Sequence, residues 1–443
     1  MELTASVVDA CETSEAAGVR PGRRPRIAVV LPSDFDERPT GGMLTAVKRL
    51  LSQIEPSRFE VVLFGLTWKP EEPVGLVSSR TINGEIYPFI PLYRVPVEDL
   101  DHRRPRLPLR ARTFWACLVR GRRLLDRSFD LVYLHAPELL PLVLPKRHLV
   151  VYTVHGVEEA GALCSRYRFA RTRIVLGLYR RVIAMLIERA DRVLCIDEEC
   201  YRLYTTRWPA RAKDFRLSPL TVDPEVFKPL RSARTPHLRA CLGLQADMRV
   251  VLYVGRLSRL KGVHLILDAF TAATRDHPDL QLAIVGNGEE EGALRAQVSE
   301  RGVSERVVFA GKIPHDELLR WYNAADVCVA ASERESVGLT VLEALACGTP
   351  VVATRVGVAP LVIRDGINGA LVEHRTSQAL ARGIEVALRL GRGAQEACVA
   401  ATREYGRTSV PLGEVMQELL ASRRTQTADR CFEKAQQQIA NNP

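Results

Sequence analysis

The stretch from Ala330 to Thr354 constrains the fold of this chain more than any other. It opens with the end of an apolar run that predicts a buried strand, and a polar elbow follows at Ser332–Ser336. Apolar residues then recur at helical spacing from Gly338 to Cys347, and Gly348 ends the helix. A strand, elbow and helix in this order are typical of a parallel sheet, where the first free amides of the helix lie at the carboxyl edge. The helix dipole favours an anion there, and a phosphate would fit.

The same alternation of strand and helix patterns recurs along the chain. Apolar segments that predict strands lie at 26–31, 59–65, 130–135, 149–154, 192–196, 250–254, 281–285 and 307–310. Such alternation predicts doubly wound parallel α/β sheets, and 443 residues suffice for two domains. We expect a disordered tail at 1–24, a first Rossmann-like domain at 25–222 and a second at 223–405. A helix that returns to the first domain, and then a tail, are expected at 406–443.

Two carboxylates bracket the predicted phosphate position. Glu335 lies in the elbow, and Glu343 follows after seven intervening residues, about two helical turns further on. A carboxylate repels a phosphate, so we expect neither glutamate to touch the anion. The hydroxyls of a sugar or a ribose are more natural partners. Two glutamates alone would more often be ordinary surface acids of a helix, and only the flanking residues favour the first interpretation.

The whole segment resembles the E-x7-E signature of the family 4 retaining glycosyltransferases. The resemblance covers most of the chain, from about Arg26 to beyond Leu390. It implies a GT-B architecture, in which two facing Rossmann-like α/β domains bind a nucleotide sugar in the cleft between them. By this resemblance Glu335 would hold hydroxyls of the donor sugar, and Glu343 the ribose. The diphosphate would be held by the backbone of four residues, Ser336, Val337, Gly338 and Leu339.

Two basic residues would supply positive charge to the same site, Arg256 and Lys261. The leaving group of glycosyl transfer is a nucleoside diphosphate whose charge grows as the bond breaks, so fixed cations near it lower the barrier. Basic residues in a loop are usually only solvated. The run G-R-x-x-x-x-K-G, however, matches the phosphate-binding pair of the family. With these cations no D-x-D metal motif is needed, and we expect no metal and no cofactor.

Glycines at the ends of predicted strands are further candidates for donor binding. In the second domain they would frame the nucleotide, chiefly through backbone groups: Gly255, Gly286, Gly288 and Gly311. In the first domain the pair Gly41-Gly42, at a strand-to-helix turn, lets the backbone approach a ligand closely. In the family this loop lies over the donor phosphates and near the acceptor.

His155 follows the predicted strand 149–154, so we expect it at the carboxyl edge of the first sheet. An imidazole there can donate to a sugar hydroxyl or take a proton, or it can merely end a strand. In related enzymes a histidine at this place points at the donor sugar. His155 is therefore predicted to be catalytic, together with Arg256, Lys261 and Glu335.

Two segments depart from the family pattern. Leu220-Thr221 replaces the usual Asn-Gly at the crossing between domains, although Asp223 and Phe227 match. Further on, Leu361 stands where relatives often have an acid. A contact near the sugar is then missing, which could alter donor choice or reduce activity.

Composition narrows the possible partners and location. A net charge of +10 indicates an anionic partner. Arginines cluster at 103–123 and at 166–181. These stretches contain neither interleaved aromatic residues nor a nucleic-acid-binding motif, so we predict no nucleic-acid partner. Ten cysteines without a C-x-x-C pair indicate reduced thiols of a cytoplasmic protein. The longest apolar stretch, 174–187, is interrupted by two arginines and is too short to span a bilayer.

The segment Arg166–Arg189 predicts a basic amphipathic helix. Its expected apolar stripe consists of Val175, Leu178, Val182, Met185 and Leu186. The stripe could pack against the sheet with the arginines in solvent, which is the commoner outcome. Alternatively the helix could contact an anionic membrane, as in some relatives with lipid acceptors. At most, we expect weak, salt-sensitive, peripheral contact at the inner membrane face.

The sequence therefore predicts a metal-independent, retaining glycosyltransferase. It would move a hexose or a related sugar from UDP or GDP to a hydroxyl of an acceptor sugar, lipid or small molecule. Two alternatives remain open. One is a nucleotide-sugar epimerase of similar fold, which needs no acceptor, and the other is a catalytically degenerate protein that binds a sugar nucleotide or an anionic surface.

Overall fold

The computed structural model describes residues 23–35, 42–82, 84–96, 109–125, 128–145, 147–156, 173–231, 233–423 and 425. The chain divides into two compact units. Unit 1 comprises residues 1–218 and 410–443, and unit 2 comprises residues 219–409. The sequence predicts these boundaries after residues 222 and 405. Most of the predicted tail at 1–24, and everything predicted beyond 425, lies outside the described residues.

Unit 1 is an α/β sandwich around one sheet. Its described strands are β1 (Arg26–Val30), β2 (Glu60–Thr67), β3 (Ser78–Ile82), β4 (Glu85–Arg94), β5 (Leu131–Leu134), β6 (Leu149–Val154), β7 (Arg192–Cys195) and β8 (Phe215–Leu217). Its described helices are α1 (Gly42–Leu51), α2 (Leu109–Leu124), α3 (Arg173–Arg189) and α4 (Glu198–Arg207), with a final helix at 412–423. The strand order is β3-β4-β2-β1-β5-β6-β7-β8, and all pairs are parallel except β3 with β4. The carboxyl ends of the parallel strands therefore share one edge.

Strands β3 and β4 form an antiparallel hairpin. The sequence of residues 77–95 by itself predicts only one strand and a proline-rich connection there. Pro88 and Pro91 both lie inside β4. Pro91 sits where the register between β2 and β4 shifts, and a bulge is a place that tolerates the missing N–H group of a proline. The two prolines interrupt the apolar pattern of β4, so the pattern alone does not predict a strand there.

Helix α3 packs on the core of unit 1 through only part of the predicted stripe, since Leu186 is buried and Val182 packs against the core. The side chains buried in the core are Ile183, Leu186 and Ile187, whereas Leu178 and Met185 are 61% and 40% exposed. The face that meets the sheet is turned by about a quarter of a turn from the predicted stripe. Apolar residues occupy both faces of this helix, so spacing alone could not identify the buried one.

Unit 2 is a second α/β unit with an all-parallel sheet of order β11-β10-β9-β12-β13-β14. Its strands are β9 (Arg249–Val254), β10 (Leu280–Val285), β11 (Val307–Gly311), β12 (Val327–Ala330), β13 (Val351–Thr354) and β14 (Gly369–Val372). Its helices are α5 (Pro236–Cys241), α6 (Val263–Ala273), α7 (Glu291–Glu300), α8 (Leu318–Ala324), α9 (Leu339–Ala346), α10 (Ala359–Val362), α11 (Ser377–Leu390) and α12 (Gln395–Gly406). Order reverses between β9 and β12, and an open α/β sheet binds ligands beside such a switch point.

The final helix at 412–423 belongs to unit 1. The Leu412 N–H group donates to the Gln53 side chain at 3.3 Å, and Glu418 pairs with Arg192 at 2.9 Å. The last part of the chain thus crosses back to the unit in which the chain began.

Candidate functional site

The elbow between β12 and α9 in unit 2 has the geometry of an anion site. Gly338 precedes α9 in the left-handed conformation, with φ of 83°, and no side chain caps the helix. Among the described residues, no backbone or side-chain acceptor takes the N–H groups of Leu339 and Thr340. A small pocket opens at this helix end, lined in part by Ser332, Glu335 and Thr340. The first amides of α9 therefore face an open space, as the strand, elbow and helix pattern predicts.

Lys261 pairs with Glu335 at this pocket. The lysine Nζ lies 2.8 Å from Oε1 and 2.6 Å from Oε2 of the glutamate. The two side chains are 30% and 22% exposed, so a ligand could reach both. Gly338 lies beside them, because a Cβ atom there would be 3.2 Å from Cγ of Glu335. The cation, the carboxylate and the helix amides are thus neighbours.

Arg256 is placed less tightly than Lys261. Its side chain is 72% exposed and pairs with Glu289, with Nη2 and Oε2 3.1 Å apart. Among the described residues, Arg256 forms no hydrogen bond or ion pair with either Lys261 or Glu335. The loop that carries it is nevertheless fixed, because Tyr253 donates a hydrogen bond from its hydroxyl to the Arg256 carbonyl at 2.8 Å.

The glycines predicted to frame the nucleotide lie in loops that pack against each other. The Gly286 N–H group donates to the Gly311 carbonyl at 2.7 Å. A Cβ atom on Gly286 would lie 1.9 Å from the Gly255 carbonyl, and one on Gly288 would lie 2.2 Å from the Leu257 carbonyl. The absence of a Cβ at Gly286 and Gly288 is therefore required by packing between the loops after β9 and β10, whether or not a nucleotide binds there.

Glu343, the second acid of the signature, is buried with 5% of its side chain exposed. The Tyr322 hydroxyl donates to Oε2 at 2.7 Å, and Nε2 of His315 lies 2.8 Å from Oε1. Burial, together with the neighbouring carboxylate, raises the pKa of Tyr322 well above its usual value, so this hydroxyl remains a donor. The Phe227 ring packs edge-on against both His315 and Tyr322. Each carboxylate oxygen keeps further lone pairs for another donor.

Arg375 is a residue that the sequence analysis missed. Its Nε donates to the Ala331 carbonyl at 2.8 Å, at the start of the elbow. Its Nη2 donates to the first two carbonyls of the 3-10 turn Arg259–Lys261, at 3.1 and 3.3 Å. One guanidinium group thus ties the lysine turn to the glutamate elbow. Gly262 permits this approach, because a Cβ there would lie 2.4 Å from the Ala331 carbonyl. No local pattern marks such a residue.

His155 in unit 1 lies beside a second histidine. It follows β6, and His135 follows the adjacent parallel strand β5. Nδ1 of His135 is 3.1 Å from Nε2 of His155. Burial lowers the pKa of His155 to about 4, and burial with the neighbouring ring lowers the pKa of His135 well below its usual value. The sequence analysis missed His135, although two neighbouring strands that each end in histidine are a usable signal.

The predicted diglycine turn follows β1. Gly41 lies outside the described residues, and Gly42 is the first residue of α1. At the root of this turn Arg80 joins two carboxylates: its Nε is 2.8 Å from Oδ1 of Asp34, and its Nη2 is 2.7 Å from Oε2 of Glu72. The three side chains are at most 8% exposed. A buried charge cluster therefore holds the start of the turn.

Leu361 lies on α10, as a 60% exposed side chain. The loop before it packs on the elbow, because the Val358 N–H group donates to the Val337 carbonyl at 2.7 Å. A Cβ atom on Gly357 would lie 2.5 Å from the same carbonyl. The segment that departs from the family pattern thus supports the elbow before α9 through its backbone.

Within the described residues, no three histidine, cysteine, aspartate or glutamate side chains gather as a metal site would require. In the same part of the chain, no helix combines the length and the apolar character needed to cross a bilayer. The seven cysteines described there are all free thiols.

Comparison with known proteins places the chain in a family. A model described as Glycosyltransferase Family 4 matches residues 40–226, and a model described as Glycosyl transferases group 1 matches residues 235–405. The D-inositol 3-phosphate glycosyltransferase of Arthrobacter sp. (strain FB24) is 30% identical over 353 residues, which cover 75% of this chain and 78% of that protein. The chain belongs to glycosyltransferase family 4. This confirms the family that the E-x7-E signature predicts.

A protein with the same name from Acidothermus cellulolyticus is 37% identical to the family 4 chain over 268 residues. That match covers 57% of this chain and 59% of the relative's own length.

Solved structures show the fold of the family 4 chain. Sucrose-phosphate synthase from Thermosynechococcus elongatus superposes with a TM-score of 0.70 at 24% identity, covering 90% of this chain and all of that one. Anabaena HepE in complex with UDP-glucose gives a TM-score of 0.65 at 20% identity, covering 90% of this chain and 99% of that one. The predicted GT-B class, with two Rossmann-like α/β domains, is confirmed.

Proposed function

We propose that this family 4 chain transfers a sugar from a nucleoside diphosphate to an acceptor hydroxyl, with retention of configuration and without a metal ion. The observation that carries the proposal is one pocket lined by Glu335 and the uncapped N-terminus of α9, with the Lys261 ammonium group bonded to Glu335. A cation and free amides suit a diphosphate, and a carboxylate beside them suits the hydroxyls of the attached sugar.

The residues would divide the donor between them. The amides at Gly338, Leu339 and Thr340 and the Lys261 ammonium group would hold the diphosphate, with Arg256 nearby on its exposed loop. Glu335 would accept hydrogen bonds from the sugar. Glu343 would accept from the ribose with the lone pairs that Tyr322 and His315 leave open. Because Lys261 and Glu335 contact each other directly, donor binding must exchange part of this ion pair for contacts with the ligand.

We propose retention from the resemblance to the retaining family 4 enzymes. Because no side chain is proposed as a covalent nucleophile, retention requires the acceptor to attack the face that the diphosphate leaves. In the transfer, the bond between the anomeric carbon and the leaving phosphate oxygen breaks, and the acceptor oxygen bonds to the anomeric carbon on the same face. The acceptor's proton passes to the leaving phosphate oxygen. Lys261 and the amides of α9 then stabilise the charge that grows on the diphosphate.

The relatives suggest which substrates to try first. Two are named D-inositol 3-phosphate glycosyltransferase, so we propose a phosphorylated polyol among the candidate acceptors, beside sugars and lipids. The HepE structure contains UDP-glucose, so UDP-sugars are the first donors to test and GDP-sugars the second. The free thiols among the described residues support the proposal of a cytoplasmic location.

The test is sugar transfer by the full chain. UDP- and GDP-sugars are each incubated with D-inositol 3-phosphate in the presence of EDTA, and nucleoside diphosphate release and the anomeric configuration of the product are measured. Lys261→Ala and Glu335→Ala should each reduce turnover by about 100-fold or more, because each removes a charged group from the reacting diphosphate or sugar. Arg364→Ala should retain activity, since Arg364 belongs to an exposed ion pair of the same unit, with Glu404.

Three outcomes would contradict the proposal. Diphosphate release unchanged by both active-site variants would remove the site assignment. A new sugar nucleotide formed from donor alone would indicate an epimerase. Tight binding of a sugar nucleotide without any turnover would indicate the degenerate binding protein.

We also propose that the outer face of α3 makes a weak contact with anionic membrane. This face exposes Ile174 and Leu178 beside Arg181, and Arg180 is exposed on a neighbouring flank of the helix. Apolar and basic groups together suit an acidic lipid surface. Flotation with acidic liposomes should recover the chain at low salt and lose it at high salt. Arg180→Glu with Arg181→Glu should abolish recovery, and recovery from neutral liposomes alone would contradict the proposal.

A further inference from the structure

The histidine pair of unit 1 contains a buried polar atom that the proposed reaction does not use. His135 is 1% exposed. Its Nδ1 faces Nε2 of His155 at 3.1 Å, while its own Nε2 is buried without a hydrogen-bond partner among the described residues. The Tyr133 ring packs against it, with ring centres 4.2 Å apart. This orphaned nitrogen restricts where the protons of the pair can be.

Both rings are neutral at physiological pH, because burial lowers the pKa of each. A neutral imidazole carries one N–H group and one lone pair. The contact between His135 and His155 therefore requires that one of the two facing nitrogens donates and the other accepts. Two arrangements are possible, and they differ in what His155 offers on its other side.

In the first arrangement, the N–H group is on Nδ1 of His135 and donates to Nε2 of His155. The orphaned Nε2 of His135 is then a bare lone pair, and His155 carries its proton on Nδ1. In the second arrangement His155 donates from Nε2, and the orphaned Nε2 of His135 is a buried N–H group without an acceptor. Unpaired buried N–H groups are rarer in proteins than under-used acceptors, so the first arrangement is favoured.

We propose that His135 is a positioning residue that fixes His155 as the Nδ1–H tautomer, so that His155 acts as a hydrogen-bond donor to the donor sugar and not as a base. This rests on the proposed function, which places His155 at the sugar. His155 is partly buried. Because its Nε2 faces His135, Nδ1 is the ring nitrogen that remains for a ligand. Its Nε2 lone pair is already engaged with His135, so it cannot take a proton there without losing that contact.

The tautomer can be measured without any activity. Protonated and unprotonated ring nitrogens have separate 15N chemical shifts, so long-range 1H–15N spectra of the full chain labelled at histidine show which nitrogen carries the proton. His155→Ala identifies the signals of His155 by their loss. We expect Nδ1 of His155 to be protonated at neutral pH. A proton on Nε2 of His155 would overturn the inference, whether or not the chain transfers sugar.

Two variants of His135 test how the tautomer of His155 affects sugar transfer. His135→Asn keeps a donor at the δ position and should leave kcat within about threefold of the unaltered chain. Asp is of the same size as Asn, but its ionised carboxylate can only accept. His135→Asp should therefore move the His155 proton to Nε2 and lower kcat by about 10- to 100-fold, with a smaller change in KM for the donor. Equal activity of the two variants, with both folded by thermal melting, would overturn the inference. Loss of activity in both, with the wild-type tautomer unchanged, would also overturn it.

If neither the chain nor its variants transfer sugar while the Nδ1–H tautomer is observed, only the proposed function fails. If the chain transfers sugar while Nε2 of His155 is protonated, only the tautomer proposal fails. The two ideas are therefore separable.

Discussion

The two units hold the loops at the carboxyl edges of their sheets by different means. In unit 1 the root of the turn after β1 is held by buried charge, since Arg80 bridges Asp34 and Glu72. In unit 2 the corresponding loops are held by backbone packing, with Gly286 and Gly288 seated directly on the loop after β9. Similar Rossmann-like units thus hold the start of such a loop through electrostatics in one case and hold neighbouring loops through steric fit in the other.

Because the loops are held differently, we expect the two units to respond differently to pH and to substitutions. A buried ion cluster depends on the charge of its members, and losing one leaves the others unpaired in a low dielectric. A glycine packed on a carbonyl is indifferent to pH but intolerant of a single added methyl group. Substitutions and changes of pH should therefore alter the stability of the two units to different extents. Hydrogen exchange, measured separately for peptides of each unit, can detect this difference.

The largest effect is expected from Arg80→Met. The substitution keeps much of the side-chain length but leaves Asp34 and Glu72 buried without their cation, which should destabilise unit 1 by about 3–5 kcal/mol. Hydrogen exchange should accelerate in peptides of unit 1 and much less in those of unit 2. Arg202→Met is the control, because Arg202 forms an exposed ion pair with Glu198 in the same unit and should change stability by less than about 1 kcal/mol. Equal effects of both variants would refute the role of the buried cluster.

Acid should weaken unit 1 through Glu72. Burial alone would raise the pKa of Glu72, but hydrogen bonds from Arg80, Ser78 and Thr67 outweigh it and lower the pKa to about 2. Because the folded pKa lies below the unfolded one, the stabilisation is complete above about pH 4.5 and is lost as the pH falls towards 2, on the order of 3 kcal/mol in total. Denaturant unfolding at pH 7, 5 and 3 measures it. Glu72→Gln should flatten this slope, and an unchanged slope would contradict the prediction.

A smaller effect is expected in unit 2 from Gly288→Ala. The new Cβ would lie 2.2 Å from the Leu257 carbonyl, so the loops after β9 and β10 must move apart, at a cost of about 1–3 kcal/mol that does not vary with pH. Gly292→Ala is the matched control. Gly292 lies in α7 with open space around it, and alanine there should stabilise the helix by up to about 1 kcal/mol. Thermal unfolding that fails to distinguish the two alanines would refute the steric account.

Sequence reasoning predicted the parts of the site that are local in the chain. The strand, elbow and helix around Glu335 depend on hydrophobic spacing and on Gly338 and Gly348, and such signals act over a few residues. It did less well where a segment has two plausible faces. Helix α3 carries apolar side chains on two faces, so its buried face was predicted only in part. Strand β4 contains two prolines, so only one of the two strands of the hairpin was predicted. In each case the packing of neighbouring strands determines the structure of the segment.

By itself the sequence determined the fold class, the family and the position of the signature acids, because periodicity and motif spacing are written along the chain. Only the tertiary structure decided which groups meet. It paired Lys261 with Glu335, buried Glu343 against Tyr322, brought Arg375 across to the lysine turn and set His135 beside His155. The physical reason is that these contacts join residues far apart in the chain, so they depend on how whole strands align and no short pattern can encode them.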